Sequence, residues 1–246
     1  MNSLILCEGK TDCVLLQYYL EKVHSWIRMG KSSFHAVNGS WSNWFEKQGN
    51  RLIISETKGC NRISEGVVTA VNRNENVPPG SNDEFFDKII IFTDNDETDS
   101  IADMIGDIQN KLHTTSASVS SPIQKDMWNK VSIQSIEGVK EFELYLMFIP
   151  FNENGALETY LLNCIGANDA YDKVIIDKGN SFVETIDPDD RYLCQRRLKT
   201  KAKFDVYFSV RTAVDQYAER QSILKSVAWE NYNVIREDFK MFADLG

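Results

Sequence analysis

No apolar run in this 246-residue chain approaches the roughly 20 residues that span a bilayer, so we expect no membrane-spanning helix. The opening Met1-Asn2-Ser3-Leu4 has no basic region, and its apolar run meets Glu8 at once; it reads as a first strand rather than a signal peptide. The five cysteines (Cys7, Cys13, Cys60, Cys164, Cys194) form no Cys-x-x-Cys pair, which removes support for a zinc knuckle or a disulfide framework. They read as buried, reduced thiols of a cytoplasmic protein. The three histidines (His24, His35, His113) have no ligand spacing. No Walker-type glycine-rich loop is present, so any ATP hydrolysis would have to come from a partner. Positive charge is scarce: the net charge is -9, which argues against broad, non-specific nucleic-acid binding without excluding a nucleic-acid substrate. With 42% hydrophobic and 26% charged residues, the chain can build a substantial core.

Against that background, two acidic clusters stand where apolar strands should end. Leu4-Ile5-Leu6-Cys7 runs into Glu8-Gly9-Lys10-Thr11-Asp12, and Ile89-Ile90-Ile91-Phe92-Thr93 runs into Asp94-Asn95-Asp96. Carboxylates at the carboxyl ends of neighbouring buried strands meet in the crevice where open α/β sheets place ligands. Hard oxygen donors without histidine or thiolate suit Mg²⁺ or Mn²⁺. Gly9 reads as the residue that permits a tight turn. Asp12 alone reads equally as a first-turn carboxylate favoured by the helix dipole, and Asp-x-Asp alone equally as a capped turn.

Along the chain we expect strands at Leu4–Cys7, near Phe34–Val37 and at Lys88–Thr93, with a hairpin of Val131–Ile136 and Phe142–Ile149. Helices are expected at Thr11–Ser25, Trp41–Gln48, Ile63–Val71, Ser100–Leu112, Ala156–Cys164, Leu193–Ser209, Val214–Val227 and Tyr232–Leu245. Thr114–Ser121 reads as a mobile loop. Trp41, Trp44 and Phe45 read as core or as base-stacking residues. The alternation of strand and helix to about residue 165 predicts an α/β, mostly parallel, Rossmannoid sheet with helices on both faces. Residues 166–246 are expected to form a C-terminal helical annex packed on the 1–165 core.

Strand, Glu-Gly-Lys-Thr-Asp, helix, and later strand and Asp-Asn-Asp together resemble the Toprim domain of topoisomerases, bacterial primases and the OLD (overcoming lysogenization defect) nucleases. The resemblance covers roughly residues 1–165. It implies that Glu8, Asp94 and Asp96 bind Mg²⁺ (or Mn²⁺) beside a phosphodiester. The spacing of Glu8 and Asp12 resembles the OLD-like branch, which adds a second metal position. Many Toprim proteins have Asp-x-Asp-x-x-Gly, whereas Asp99 stands here in the glycine's place. Pro150-Phe151-Asn152-Glu153-Asn154-Gly155-Ala156-Leu157-Glu158 resembles a stretch of small standalone Toprim-like bacterial proteins, and the OLD-like pattern implies Glu158 as a ligand of the second metal.

Arg196-Arg197-Leu198-Lys199-Thr200-Lys201-Ala202-Lys203 places five cations in eight residues. It reads as a solvated helix face or as a phosphate guide. OLD-like nucleases use a late lysine at the metal site, and Lys201 is the candidate here. Lys10, Arg197, Lys199 and Lys203 are candidate phosphate or nucleic-acid contacts. Lys199 and Lys203 share a helix face and Lys201 points elsewhere, but spacing does not choose among the three.

The expected function is Mg²⁺-dependent phosphodiester hydrolysis on DNA or RNA, with water as nucleophile, since no tyrosine is placed by motif for a topoisomerase reaction. The alternative is a non-catalytic metal- or nucleic-acid-binding module acting with a partner ATPase. A third reading, an aspartyl phosphatase, takes Asp94-Asn95-Asp96-Glu97-Thr98 as its signature but leaves Glu-Gly-x-x-Asp unexplained. A homodimer is compatible with the sequence.

Overall fold

A computed structural model describes residues 1–78, 80–81, 84–95, 100–214 and 219–246. The strands are β1 (Asn2–Cys7), β2 (Ile27–Lys31), β3 (Ser42–Lys47), β4 (Asn50–Glu56), β5 (Lys88–Asp94), β6 (Ser118–Val119), β7 (Trp128–Ser135) and β8 (Gly138–Ile149). The helices are α1 (Lys10–Val23), α2 (Ile63–Glu75), α3 (Ser100–Leu112), α4 (Leu157–Asn168), α5 (Ala170–Ile186), α6 (Arg196–Arg211), α7 (Arg220–Ser226) and α8 (Asn233–Asp238). Among the described residues, no helix is long and apolar enough to cross a membrane.

The eight strands form one sheet in the order β2-β3-β4-β1-β5-β8-β7-β6. The expected parallel character is found in the centre, where β4, β1, β5 and β8 run parallel. Both flanks are antiparallel. The central strands are buried on both faces, and their side chains alternate between two cores. Ile5 and Cys7 of β1 and Ile90 and Phe92 of β5 face one core; Leu4, Leu6, Ile89 and Ile91 face the other. The second core is closed by α2 and by the Ile101, Met104, Ile105, Ile108 and Leu112 stripe of α3. The first is closed by α1, α4 and the C-terminal helices, so Phe204, Trp229, Phe239 and Leu245 share a core with Ile5 and Phe92.

Several expectations are corrected. Phe34–Val37 is not a strand: side-chain hydroxyls take the place of a ladder, with Phe34 N–H donating to Ser32 Oγ and Ala36 N–H to Ser55 Oγ. The expected helix at Trp41–Gln48 is β3 instead, joined to β4 by Gln48 (φ 49°) and Gly49 (φ 80°). Two consecutive positive φ values give a turn whose twist suits a two-residue hairpin. Phe45 is fully buried in the core, which removes it from base stacking, and Trp44 lies under the Arg51 guanidinium. The Thr114–Ser121 segment contributes the short edge strand β6, paired to β7.

Helix α5 has no counterpart among the expectations, although Asp169 caps it by accepting from Tyr171 N–H at 2.7 Å. Gly179 lets α5 approach α6: a Cβ there would lie 3.2 Å from Val206. The expected helix Tyr232–Leu245 breaks at Phe239 into α8 and a 3₁₀ turn, a break that brings Met241 into the core beside Phe239 and Phe242. Cys7, Cys13 and Cys164 are buried as expected, whereas Cys60 and Cys194 are exposed; none of the five is in a disulfide.

Candidate functional site

Strand β1 is the point where the chain's path across the sheet reverses. The chain moves to one side of β1 to lay down β4, then crosses back by α2 to lay down β5 on the other side. Such a reversal opens a crevice at the carboxyl ends of the strands. The register pairs Cys7 with Phe92, so Glu8 and Thr93 leave the two strands together. Glu8 N–H donates to Phe92 O at 3.2 Å, and Thr93 Oγ1 donates to Glu8 Oε2 at 3.0 Å. Thr93 thereby fixes the Glu8 carboxylate at the rim.

Asp12 lies in the first turn of α1 and is only 7% exposed. Its Oδ2 accepts from Gly9 N–H at 2.8 Å, which satisfies one of the open donors of the helix start. Gly9 has φ −135° and ψ 172°, extended backbone open to any residue, so the expectation that a glycine is needed there for a tight turn is corrected. Burial first, then the neighbouring carboxylates of Glu8 and Glu158, push the Asp12 carboxyl above its ordinary range, against the opposing pull of the Gly9 N–H and Lys201.

The third piece is assembled by Asn95, which sequence reasoning passed over as the middle of Asp-Asn-Asp. Asn95 is buried. Its Nδ2 donates to Pro150 O at 3.0 Å and Glu153 O at 2.9 Å, and its backbone bonds Ile149 and Gly155. This clamp holds the loop between β8 and α4. Gly155 sits so tightly against the first turn of α4 that a Cβ would lie 2.8 Å from Thr159 Cβ. The start of α4 is thus delivered to the crevice, where Leu157 N–H donates to Asp94 Oδ1 at 2.9 Å. A carboxylate on an open helix N-terminus is stabilised by both the hydrogen bond and the dipole. Glu158 follows, 6% exposed, with Arg220 Nε 3.8 Å from its Oε1. Arg220 in turn pairs with Asp205 at 2.7 Å.

Glu8, Asp12, Asp94 and Glu158 line one pocket of about 170 Å³ with Lys10, Arg197 and Lys201. The expected lysine face is resolved here: Arg197 and Lys201, one turn apart on α6, line the acidic pocket. Lys199 and Lys203 do not; they pair with Asp190 at 2.9 Å and Glu184 at 2.5 Å and line a different pocket. Asp96 and Asp99 lie outside the described residues. Among the described residues, no three histidine, cysteine, aspartate or glutamate groups converge closely enough to hold an ion as they stand. The donor set nevertheless fits a hard divalent cation: it is all oxygen, and Asp12 is pushed up by burial first and then by the carboxylates of Glu8 and Glu158, a crowding of negative charge that a cation would relieve.

The Asp12 environment yields a prediction. A carboxyl raised in the folded state keeps its proton at pH values where the unfolded chain has released it, so stability falls as pH rises from the ordinary carboxylate range toward the raised value. Asn at position 12 retains an acceptor for Gly9 N–H without titrating. In metal-free buffer at pH 8, Asp12→Asn is expected to melt higher than the wild type by roughly 2–4 °C, the change that ~1 kcal/mol makes in a chain of this size. The gain should shrink on acidification; a gain independent of pH between 4 and 8, read by thermal melts, would refute this account.

Two residues of the site carried no usable sequence signal. Asn95 looked like a spacer between acids, and Arg220 stands far from every motif.

No curated protein matches the chain. Among solved structures, the hypothetical protein PH0156 from Pyrococcus horikoshii OT3 is 17% identical, with 98% of this chain and 99% of that one covered and a TM-score of 0.49. The fosfomycin resistance protein FosX from Listeria monocytogenes is 10% identical over 65% of this chain and 96% of that one, with a TM-score of 0.18. Both likenesses are too weak to transfer anything to this site. The profile of one family spans nearly the whole sequence, residues 2–243, and the chain belongs to that family, described as "Protein of unknown function (DUF3226)".

Proposed function

We propose that this protein is a Toprim-like, Mg²⁺- or Mn²⁺-dependent phosphodiesterase acting on nucleic acid. The observation that carries the reading is the meeting of Glu8, Asp12, Asp94 and Glu158 with Arg197 and Lys201 in one pocket at the reversal point of the sheet. Acids and cations drawn from four separate segments of the chain meet there, and the local caps made by Asp12 and Asp94 do not by themselves call for Glu8, Glu158, Arg197 and Lys201 to join them. Glu8 and Asp94, with Asp96, would hold the ion. Asp12 and Glu158 are placed for a second one. A divalent ion in this position would supply Lewis-acid polarisation of a phosphoryl oxygen and a water of lowered pKa.

The chain's own residues account for the rest. Lys201 faces Asp12 across the pocket and offsets part of its negative charge. With Arg197 it presents positive charge where a phosphate enters, so the substrate's anionic oxygens meet cations before they meet carboxylates. The Leu157 N–H and Thr93 hydroxyl hold Asp94 and Glu8 at the crevice, and the acids would have to draw closer together from these positions to take up an ion. Arg220 holds Glu158 and leaves the guanidinium as the partner a second ion must replace.

The test is calorimetric titration of Mg²⁺ and Mn²⁺, with cleavage of pooled single- and double-stranded DNA and RNA measured on the same samples. Ion binding with cleavage that EDTA abolishes is the expected result. Ion binding without cleavage of any substrate would favour a binding module, and no ion binding would sink the metal reading altogether.

A further inference from the structure

Arg220 joins the acidic pocket to a carboxylate outside it. On one side its Nε lies 3.8 Å from Oε1 of the buried Glu158. On the other its Nη2 donates to Oδ2 of the exposed Asp205 at 2.7 Å. The guanidinium also stands 6.0 Å from the centre of the Phe204 ring. Arg220 is not part of the pocket lining, so it meets Glu158 from outside that lining. Asp205 ends a row on α6: Arg197, Lys201 and Asp205 follow one another at one-turn spacing. The first two line the pocket and the third holds Arg220.

The two carboxylate contacts differ in kind. The bond to Asp205 is charge-assisted. The contact to Glu158, at 3.8 Å, is beyond hydrogen-bond reach, and Arg220 Nε is buried with no hydrogen-bond partner. An outer-shell residue that orients a metal ligand does so through a hydrogen bond. Arg220 makes none to Glu158 and offers it charge alone. That charge suits a buried carboxylate with no ion beside it, since leaving such a group uncompensated is costly. The same charge opposes a divalent ion approaching the same carboxylate. Departure from Glu158 breaks no hydrogen bond, and Asp205 and the Phe204 ring keep hold of the guanidinium.

We propose that Arg220 is a retractable counter-ion: it neutralises Glu158 while the second ion is absent and draws back onto Asp205 when that ion binds. The assignment rests on the metal reading above and adds the regulation of its second position. Affinity for the second ion is then set by a competition between two carboxylates, Glu158 in the pocket and Asp205 on the surface of α6. The first ion, held by Glu8 and Asp94, stands outside that competition.

Titration with Mn²⁺, the free ion being read by electron paramagnetic resonance, follows both positions without any substrate. The wild type is expected to bind one ion tightly and a second more weakly. Arg220→Gln removes the competing charge and should strengthen the weaker ion by about tenfold. Asp205→Asn, at an exposed position, should weaken it by up to about fivefold, because Arg220 then falls back on Glu158. Glu158→Gln should abolish the weaker ion, and the tight ion should persist in all three variants. Opposite signs in Arg220→Gln and Asp205→Asn are the signature, since a role confined to holding α6 and α7 in place would move both the same way. In metal-free melts Arg220→Gln should be less stable than the wild type, and saturating Mn²⁺ should restore it as the ion takes over the charge on Glu158. A weaker ion that loses affinity in Arg220→Gln, or that ignores Asp205→Asn, would overturn the proposal while the metal reading stands. No Mn²⁺ binding by the wild type or any variant would overturn the metal reading itself, and this assignment with it.

Discussion

In Asp94→Asn, Mn²⁺ affinity is expected to fall by at least about a hundredfold and cleavage to become undetectable, with the melting temperature nearly unchanged. The size follows from what is removed. Outer-shell partners of metal ligands are worth roughly ten- to hundredfold in affinity, and a lost anionic ligand belongs at or beyond the upper end. The unchanged melting temperature follows from what is kept. Asp94 Oδ1 accepts from Leu157 N–H at the start of α4, and the carboxamide oxygen of asparagine can accept the same bond. The variant therefore removes charge while leaving the architecture of the crevice intact. Calorimetry, cleavage and a thermal melt on one preparation decide the matter. A folded variant that binds Mn²⁺ like the wild type would show that the acids serve the fold and not an ion.

The second large effect is structural. Phe239→Ala is expected to cost about 3–5 kcal/mol, as large-to-small changes of buried aromatics do, and to lower the melting temperature by on the order of 10 °C. Phe239 is 0% exposed. Its ring meets Tyr19 of α1 edge-on at 5.2 Å, Phe92 of β5 at 5.9 Å, Tyr160 of α4 at 5.8 Å and Phe242 at 5.4 Å. One side chain from the C-terminal region thus bridges the first helix, a central strand and the helix that carries Glu158. Because these elements share a core, the variant should still unfold in one step, with circular dichroism and tryptophan fluorescence coincident in urea. Phe182→Ala, on the exposed face of α5, should shift stability by no more than about 0.5 kcal/mol. Two separated transitions in the wild type would mean that the C-terminal helices fold independently of the sheet.

How far the sequence disclosed these features depended on the range of the forces involved. Strands β1 and β5 and helix α3 were legible because burial on both faces, or on one stripe, writes itself into consecutive residues. The acids at the ends of β1 and β5 were legible for the same reason, since a carboxylate directly after an apolar run is conspicuous. Strand β3 was misread because Trp44-Phe45 supports either period until its partner β4 is known. Helix α5 leaves Tyr171, Val174, Phe182 and Ile186 exposed, which blurs the apolar stripe that would have announced it. The two lysine faces of α6 followed from helical spacing, but which of them meets the acids depends on how α6 lies against α4, a tertiary fact. Asn95 and Arg220 were invisible for the same reason: their partners are backbone carbonyls and a carboxylate remote in sequence.

The dispersal of charge along the chain has a consequence for synthesis. Glu8, Asp12 and Asp94 leave the ribosome well before Lys201 and Arg220. A nascent chain that has formed β1, α1 and β5 therefore holds these acids with Lys10 but without the Arg197 and Lys201 that later stand beside them. For that interval Lys10 is the one cation of the pocket lining already in place, and the crevice is more acidic than in the finished fold. The positive charge of Arg197 and Lys201 reaches the crevice only when α6 docks, so the local charge of this end of the sheet is set by the last third of the chain.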